Sequence, residues 1–170
     1  INYEKGYTGK FCLDIYSDHS YYTLQEYDHF KQFNSTRVIN GSWDMLRAGG
    51  CSSHPSFYLN PQYCIQVQQE TEMYVQLQSN NQFPVGIYIL ESMGKRVAEC
   101  PSEKISECFS NSTFLVELNT LTAKLMPGIK YTIVPCTFEA NQMGSFRLIV
   151  CSMAKFKLEE LHEARYRSKK

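Results

Sequence analysis

Gly41-Ser-Trp-Asp-Met-Leu-Arg-Ala-Gly-Gly-Cys51, followed by Asn60-Pro-Gln-Tyr63, is the sequence that restricts the fold most strongly. Glycine adopts backbone conformations that other residues avoid, and proline fixes one backbone angle, so this spacing predicts a chain path that an ordinary loop does not need. We expect Gly49 and Gly50 to provide either a positive φ angle or a close approach of Trp43 to the backbone. Trp43 is the only tryptophan, and we expect it to be buried with its indole N–H bonded to one acceptor.

Outward from this stretch, apolar and polar residues alternate in short runs, which is typical of β-strands with one buried face. Residues 85–91 are instead a continuous apolar run, as expected of a strand covered on both faces. A short Gln-Glu connection between residues 63–67 and 73–77 predicts a hairpin. Pro127 and Pro135 predict strand ends. The other predicted strands are 11–15, 36–43, 114–118, 129–134 and 146–150.

These patterns predict an all-β fold with a single sandwich domain over residues 1–152. About eight short strands, joined by long Gly- and Pro-containing links without a helix between them, favour an antiparallel β-sandwich. A chain of 170 residues is long enough to bury its own core. Residues 18–35 and 98–112 lack periodicity, so we expect a long connection at the first and an exposed loop at the second.

Residues 153–170 differ from the preceding sequence, and we interpret them as a basic C-terminal tail. They contain six Lys or Arg residues and three Glu residues, with the acidic side chains early and most of the basic ones late, as a helix macrodipole favours. Residues 153–167 therefore allow a short amphipathic helix. The basic residues are candidates for contact with an anionic membrane or a partner, although a solvated tail is the simpler interpretation. They are Lys155, Lys157, Arg165, Arg167, Lys169 and Lys170.

Charge and cysteine usage exclude some classes of function. The chain has 17 Lys and Arg residues and 17 Asp and Glu residues, so its net charge gives no support to a nucleic-acid partner. Its seven cysteines include no Cys-x-x-Cys pair of the kind that binds zinc, and reduced thiols in a cytoplasmic protein are the simplest interpretation. The Asp residues do not occur as Asp-x-Asp, and the sequence predicts neither a metal site nor a cofactor.

One combination of residues invites a catalytic interpretation. Cys51, His54 and Asn60 are the residue types of a thiol-protease triad, in which the base must reach the thiol and the amide orients the base. Papain-like triads, however, draw their members from distant segments, whereas these three residues lie within one loop. We therefore predict that Cys51 packs beneath the glycine turn, that His54 lies on a loop, and that the chain has no catalytic residue.

A second block of sequence completes a resemblance to a known family. It consists of Pro127-Gly-Ile-Lys-Tyr-Thr-Ile-Val-Pro135, Thr137-Phe-Glu-Ala-Asn141 and Gly144-Ser-Phe146. With the first block, it resembles the C2-like β-sandwich that follows the catalytic core of calpain-type cysteine proteases, over residues 9–151. The resemblance implies that the second block forms a closing hairpin. The matching residues are Trp43, Gly49, Gly50, Cys51, Asn60, Pro61, Gln62, Pro127, Gly128, Pro135, Phe138 and Gly144.

The resemblance implies one function for the parent protein and another for this chain. The parent would be a thiol endopeptidase, whereas this C2-like domain would be non-catalytic and regulatory, acting in domain docking, substrate positioning or recruitment. Gln68-Gln-Glu-Thr-Glu72 stands where conventional calpains have an acidic run, which favours the atypical PalB-type calpains and their distal C2-like domain. The expected partners are the protein's own catalytic core, a neighbouring C2-like domain and a separate protein. The alternatives are a free-standing calcium- or phospholipid-binding C2-type module and a protein–protein adaptor.

Overall fold

The computed structural model describes residues 29–99, 106–110 and 113–162. The predicted strand at 11–15 lies outside these ranges. Within them, a helix of membrane-spanning length and hydrophobicity is not found. The strands are β1 (Ser35–Trp43), β2 (Tyr63–Val67), β3 (Thr71–Ser79), β4 (Pro84–Glu91), β5 (Ser106–Ser110), β6 (Leu115–Val116), β7 (Leu118–Leu125), β8 (Tyr131–Thr137), β9 (Gly144–Ser152) and β10 (Phe156–Glu160). Short 3-10 helices span His29–Gln32, Phe57–Leu59 and Val97–Glu99.

The strands form two antiparallel sheets that pack face to face. The four-stranded sheet has the order β1-β9-β3-β7, and the six-stranded sheet has the order β10-β2-β8-β4-β5, with β6 also paired with β4. The prediction of an all-β antiparallel sandwich is therefore confirmed. The described residues form more strands than predicted, because the sequence interpretation assigned no strand to β5, β7 or β10.

The core between the sheets is built from the inward residues of the alternating strands. On β3, Met73, Val75 and Leu77 are fully buried. Trp43, at the end of β1, is only 1% exposed and belongs to the same cluster. Full burial of a large apolar side chain stabilises the fold by about 1.5–3 kcal/mol, so this cluster is the main source of stability. Other members are Tyr63, Ile65, Val67, Val85, Ile87, Ile89, Leu125, Tyr131, Ile133, Phe146, Leu148 and Val150.

The outer face of the six-stranded sheet carries a second, smaller apolar cluster. Its buried members are Tyr88, Leu90, Val134 and Cys136, and Phe57, Val97 and Phe114 pack against them. The hydroxyl groups of Tyr88 and Ser52 are hydrogen-bonded at 3.0 Å, which ties the loop after β1 to this face. Strand β4 is therefore covered on both faces, which confirms the prediction made from its continuous apolar run.

The two predicted hairpins are wrong. Strand β2 pairs with β10 and β8, whereas β3 pairs with β7 and β9, so residues 68–70 carry the chain from one sheet to the other. In the second sequence block, β8 likewise lies in the six-stranded sheet and β9 in the four-stranded sheet. Alternation shows which side chains face the core. Because both sheets of a sandwich face the same core, it does not assign a strand to a sheet.

Two further predictions are corrected in the six-stranded sheet. Pro135 does not end a strand but lies within β8, opposite Ile87 of β4. Strand β2 pairs with β8 only as far as Ile133, so the missing N–H of Pro135 removes no bond to β2. Within the predicted loop at 98–112, the segment Ser106–Ser110 is strand β5 and pairs with β4.

The helix predicted for the C-terminal tail is also wrong. Phe156–Glu160 is strand β10, which pairs with β2 from Phe156 opposite Val67 to Glu160 opposite Tyr63. Phe156 and Leu158 pack against the core, while Lys157 and Glu159 are exposed, so a period of two prevails over the helical period. The sandwich therefore continues beyond residue 152 into β10.

Candidate interaction surface at the loop end

The first sequence block lies at one end of the sandwich, which we call the loop end. This end comprises residues 44–62 between β1 and β2, residues 80–83 between β3 and β4, and residues 138–143 between β8 and β9. Trp43 pairs with Gly144 there, which brings the first and last of these loops together.

Asn60 is the centre of the hydrogen bonds that shape residues 44–62. Its side chain is fully buried, and its Oδ1 accepts the N–H of Gly49 at 3.1 Å. Its Nδ2 donates to the carbonyl oxygens of Gly50 at 2.8 Å and Phe57 at 2.9 Å. One carboxamide thus satisfies backbone groups from the glycine turn and from the 3-10 helix, so the two halves of the loop are fixed to each other.

The two glycines of the turn are required for different reasons. A Cβ at Gly49 would lie much closer to the carbonyl oxygen of Ser56 than van der Waals contact allows. The hydroxyl of Ser56 also donates to the carbonyl of Gly49 at 2.8 Å. Gly50 has a φ of 78°, a conformation that residues with a Cβ rarely adopt. A Cβ there would also lie 2.7 Å from the backbone nitrogen of Ala140. The close approach is therefore to Ser56 and Ala140, whereas Trp43 had been the predicted neighbour.

Trp43 connects the loop end to the core. Its indole N–H donates to the carbonyl of Pro135 at 3.1 Å, which crosses from the four-stranded to the six-stranded sheet. Its ring lies 4.6 Å from the ring of Phe146, measured between centroids. Phe146 in turn occupies the space that a Cβ on Gly41 would need. The indole N–H therefore has the single acceptor that its burial requires.

Gln62 and Arg96 fix the other end of the loop. The carboxamide of Gln62 donates to the carbonyl of Tyr58 at 2.7 Å and accepts the N–H of Val97 at 2.8 Å. Arg96 is buried, and its guanidinium donates to the carbonyls of Leu161 at 2.7 Å and Tyr58 at 2.9 Å. This role of Arg96 could not be predicted from the sequence, because Arg96 lies outside both blocks of the family resemblance and its acceptors are backbone carbonyls, which residues of every type have.

Residues 138–143 are bonded directly to the glycine turn. The N–H of Cys51 donates to the carbonyl of Phe138 at 3.1 Å, and the N–H of Asn141 donates to the carbonyl of Ala48 at 2.8 Å. His54 Nε2 lies 3.3 Å from Glu139 Oε2, so the same two loops also meet through side chains. Together these contacts make the two loops one structural unit.

The side chains of Cys51, His54 and Asn60, the residue types of a thiol-protease triad, are each bonded to a different partner and not to one another. The thiol of Cys51 lies 3.0 Å from the hydroxyl of Ser53, and His54 pairs with Glu139. The carboxamide of Asn60 is bonded to backbone groups, so it does not orient the imidazole. A triad requires thiol, base and amide to be linked in sequence, and these three side chains are directed to other partners.

Charged and titratable side chains meet where the loop end adjoins β10. Arg47 binds Asp44 through Nε at 3.0 Å and Nη2 at 2.8 Å, and this hydrogen bonding lowers the pKa of Asp44. Arg47 Nη1 also lies 3.6 Å from Glu160 Oε1. Burial raises the pKa of Tyr63 to about 12, with a further contribution from Glu160. The phenol of Tyr63 is therefore neutral far above the pH at which an exposed tyrosine ionises.

Residues 39–151, more than half of the chain, match the family described as calpain large subunit, domain III. The chain belongs to the calpain domain III family. The calpain-like protease palB/RIM13 of Aspergillus oryzae is 31% identical to it over 134 residues, which cover 76% of this chain and 15% of that protein. The calpain-like protease palB of Emericella nidulans is 34% identical over 116 residues, covering 66% and 13%. The human calpain-2 catalytic subunit is 28% identical over 157 residues, covering 75% and 22%.

Domain III is a non-catalytic domain of calpain-type proteases. This domain III spans less than a quarter of the length of each of these relatives. It is therefore similar to one part of proteins that are several times longer, and its intramolecular neighbours in such a chain are its first expected partners.

Large apolar side chains are exposed on the loop end of this domain III. Met45 is 83% exposed and Leu46 is 76% exposed, although they are adjacent in a tight turn. Tyr58, Phe138 and Met143 are also exposed, and they come from the same hydrogen-bonded loops. Large exposed apolar patches are typical of contact sites for proteins, membranes or ligands, so this group of side chains is a candidate interaction surface.

The remaining predicted residues lie elsewhere. Pro127 and Gly128 are at the opposite end of the sandwich, the turn end, which comprises residues 68–70, 126–130 and 153–155. Gly128 has a φ of 83°, and a Cβ there would meet no other atom within 4 Å. Pro61 is buried beside Asn60 at the loop end, and Gly144 packs closely against Asn81. Lys155 precedes β10 and Lys157 lies within it, whereas Arg165, Arg167, Lys169 and Lys170 lie outside the described residues.

Acidic and other metal-ligating side chains do not cluster in the described part of the chain. Over residues 29–99, 106–110 and 113–162, no group of three or more His, Cys, Asp or Glu side chains is placed to hold a metal ion. The polar segment Gln68–Glu70 belongs to the turn end, and Glu70 forms an ion pair with Lys124 of β7.

Proposed function

We propose that this domain is a regulatory docking module of an intracellular calpain-type cysteine protease. Its loop end packs against the catalytic core of the same protein or against a neighbouring C2-like domain. The observation that carries the proposal is the exposed pair Met45 and Leu46, held in a fixed turn next to the family motif. Burying such a pair against another domain removes about 25 cal/mol of unfavourable hydration free energy for each Å² of apolar surface covered.

The turn that carries this pair is held in its conformation by several hydrogen bonds. The backbone N–H of Arg47 donates to the carbonyl of Asp44 at 3.0 Å, and the N–H of Leu46 donates to Asp44 Oδ1 at 3.0 Å. Nε and Nη2 of Arg47, which both donate to Asp44 Oδ2, add to them. A surface that is already ordered loses little conformational entropy on binding, which favours docking.

The parent protein would be a thiol endopeptidase. The relatives that carry a similar segment are described as calpain-like proteases and a calpain catalytic subunit, and this supports the proposal. In such a protein the domain would orient the protease core, position a substrate or recruit the enzyme to an assembly. Of these roles, docking on the core is the one that the exposed turn favours.

A reducing compartment, the cytoplasm, is the proposed location. Cys51, Cys64, Cys136 and Cys151 are free thiols and buried, which is typical of structural cysteines in reducing environments. Burial raises the pKa of the Cys136 thiol well above its ordinary value, so it is held in the protonated, unreactive form.

A double substitution in the full-length protease tests the docking proposal. Met45→Glu with Leu46→Glu places two charges in the proposed interface, and we expect peptidase activity to fall at least about tenfold, because interface anchors contribute about 1–2 kcal/mol each and about 1.4 kcal/mol corresponds to tenfold. Met153→Glu is the control, since Met153 is also an exposed methionine but lies at the turn end. Both variants of the isolated 170-residue chain should unfold at the temperature of the wild type.

Unchanged peptidase activity in the double variant would contradict the docking proposal. Equal losses in the double variant and in Met153→Glu would also contradict it, because the effect would then not be specific to the loop end.

A further inference from the structure

Strands β1 and β10 border a groove along one side of the sandwich. Among the described strands, β1 lies at the edge of the four-stranded sheet and β10 at the edge of the six-stranded sheet. The groove has a volume of about 540 Å³. Arg37 of β1 lines it together with Lys155 and with Phe156, Lys157 and Leu158 of β10. Its lining residues include none from the loop end, so it is a separate surface from the proposed docking site.

The outer edge of β10 presents unused backbone groups to this side of the molecule. The N–H of Leu161 donates to the carbonyl of Gln62 at 2.8 Å, in continuation of the register between β10 and β2. Because hydrogen-bonding groups alternate along an antiparallel strand, the N–H and C=O groups of Phe156, Leu158 and Glu160 point away from β2. Within the described ranges, no hydrogen bond reaches these outward groups. An edge of this kind can accept another strand.

The charges around the groove favour an acidic ligand. Arg37 and Lys155 are exposed, and neither forms an ion pair in the described part of the chain. Lys157 is paired with Glu159 at 2.8 Å, and Glu159 is the one acidic residue among the described residues that line the groove. Two uncompensated cations thus flank a free strand edge, so carboxylates on an added strand would meet favourable potential.

We propose that this groove binds an extended acidic peptide segment of a partner protein as an additional strand on β10. The peptide backbone would pair with the outward groups of Phe156, Leu158 and Glu160, and its carboxylates would lie near Arg37 and Lys155. A membrane surface would use the cations but not the row of backbone donors and acceptors. Strand addition uses both features, and it is therefore the mode that the geometry favours.

The test uses the 170-residue chain and a fluorescein-labelled peptide of Val-Glu repeats, with binding followed by fluorescence polarisation. We expect the wild type to bind this peptide and not a matched peptide of Val-Lys repeats. Arg37→Glu combined with Lys155→Glu should weaken binding about tenfold, because two partly exposed attractive contacts become repulsive.

A proline substitution tests the backbone contribution. Glu160→Pro removes an outward N–H without removing a bond to β2, since proline is tolerated at a strand edge. We expect this change to weaken binding at least about fivefold, whereas Glu160→Ala, the matched control for the side chain, should change it less than about twofold. If the Glu160→Pro variant does not fold, the same test can be made with the wild-type chain and a Val-Glu peptide that is N-methylated on alternate residues. Such a peptide lacks the backbone N–H donors along one of its two edges, so it cannot form the full set of hydrogen bonds with β10.

Three results would overturn the proposal. The first is unchanged peptide affinity in the double charge variant. The second is equal binding of the plain and N-methylated peptides. The third is failure of the wild type to bind the acidic peptide. If the wild type instead binds phosphatidylserine vesicles, and the double charge variant does not, the groove binds a lipid surface and the strand-addition proposal is wrong.

Discussion

The two ends of the sandwich are built from similar strands but differ in how their connections are held. At the loop end, buried side chains of Asn60, Gln62 and Arg96 satisfy backbone groups from several loops at once. At the turn end, Gly128 provides a positive φ, and a side chain added there would meet no atom. The loop end is therefore held together by buried side chains and displays the adjacent exposed pair Met45 and Leu46, whereas the exposed methionines of the turn end, Met126 and Met153, come from separate connections.

Because the two ends differ in this way, the glycines of the family motif are required for different physical reasons at each end. The matched motif includes Gly49 and Gly128, yet one glycine avoids a collision with a backbone oxygen and the other only permits a turn. The first reason depends on tertiary packing and the second on local conformation. Substitutions at the two ends should consequently have effects of different size.

The largest effect is expected from Asn60→Ala. The change removes three hydrogen bonds and leaves the N–H of Gly49 and the carbonyl of Gly50 buried without this partner. Each unsatisfied buried group costs about 1–3 kcal/mol, so we expect a loss of about 4 kcal/mol in the free energy of unfolding. Urea denaturation measures it, with the exposed residue Asn40 changed to Ala as control. A loss below about 1 kcal/mol would show that Asn60 does not hold the loop end together.

A pair of glycine substitutions compares the two ends directly. Gly49→Ala must displace the backbone at Ser56, and we expect it to cost about 3 kcal/mol. Gly128→Ala meets open space and has only the positive φ to overcome, which costs about 1 kcal/mol. Both are measured as free energies of unfolding in urea. Equal costs would mean that the two ends are equally tolerant, contrary to the comparison.

The smallest of the three effects depends on pH and involves Tyr63, the first residue of β2. Its pKa is raised to about 12, so above pH 10 the unfolded state loses this proton while the folded state keeps it. Stability should therefore fall as pH rises, by about 1 kcal/mol between about pH 9 and pH 11 from this group alone. Tyr63→Phe should remove that part of the decline. Parallel pH profiles for the wild type and the variant would contradict this burial effect.

The sequence predicted the fold class and much of the loop end, but not the assignment of strands to sheets. Met73, Val75 and Leu77 alternate with more polar residues, and that alternation correctly placed them in the core. The short link after Val67 suggested a hairpin. Pairing is decided instead by long-range contacts, which join β3 to β7 and β9. A local pattern contains no information about a partner strand that lies far along the chain.

The C-terminal segment and Arg96 show two other limits. The segment Phe156-Lys157-Leu158 is compatible with the apolar period of a strand and with part of the period of a helix. It forms a strand because it pairs with β2. Arg96 bonds to carbonyl groups of Tyr58 and Leu161, which any residue could supply. The partners of Asn60 are backbone groups as well, but Asn60 and the glycines were identifiable because they lie within the family motif.

Methionine oxidation tests the docking proposal most directly, because exposed methionines lie at both ends. Met45 is 83% exposed and Met143 is 56% exposed at the loop end, while Met153 is 57% exposed at the turn end. Peroxide oxidation of each residue would be followed by mass spectrometry in the isolated chain and in the full-length protease. The proposal predicts that Met45 and Met143 oxidise at least about fivefold more slowly in the full-length protein, with Met153 unchanged. Equal oxidation of Met45 in both proteins would contradict it.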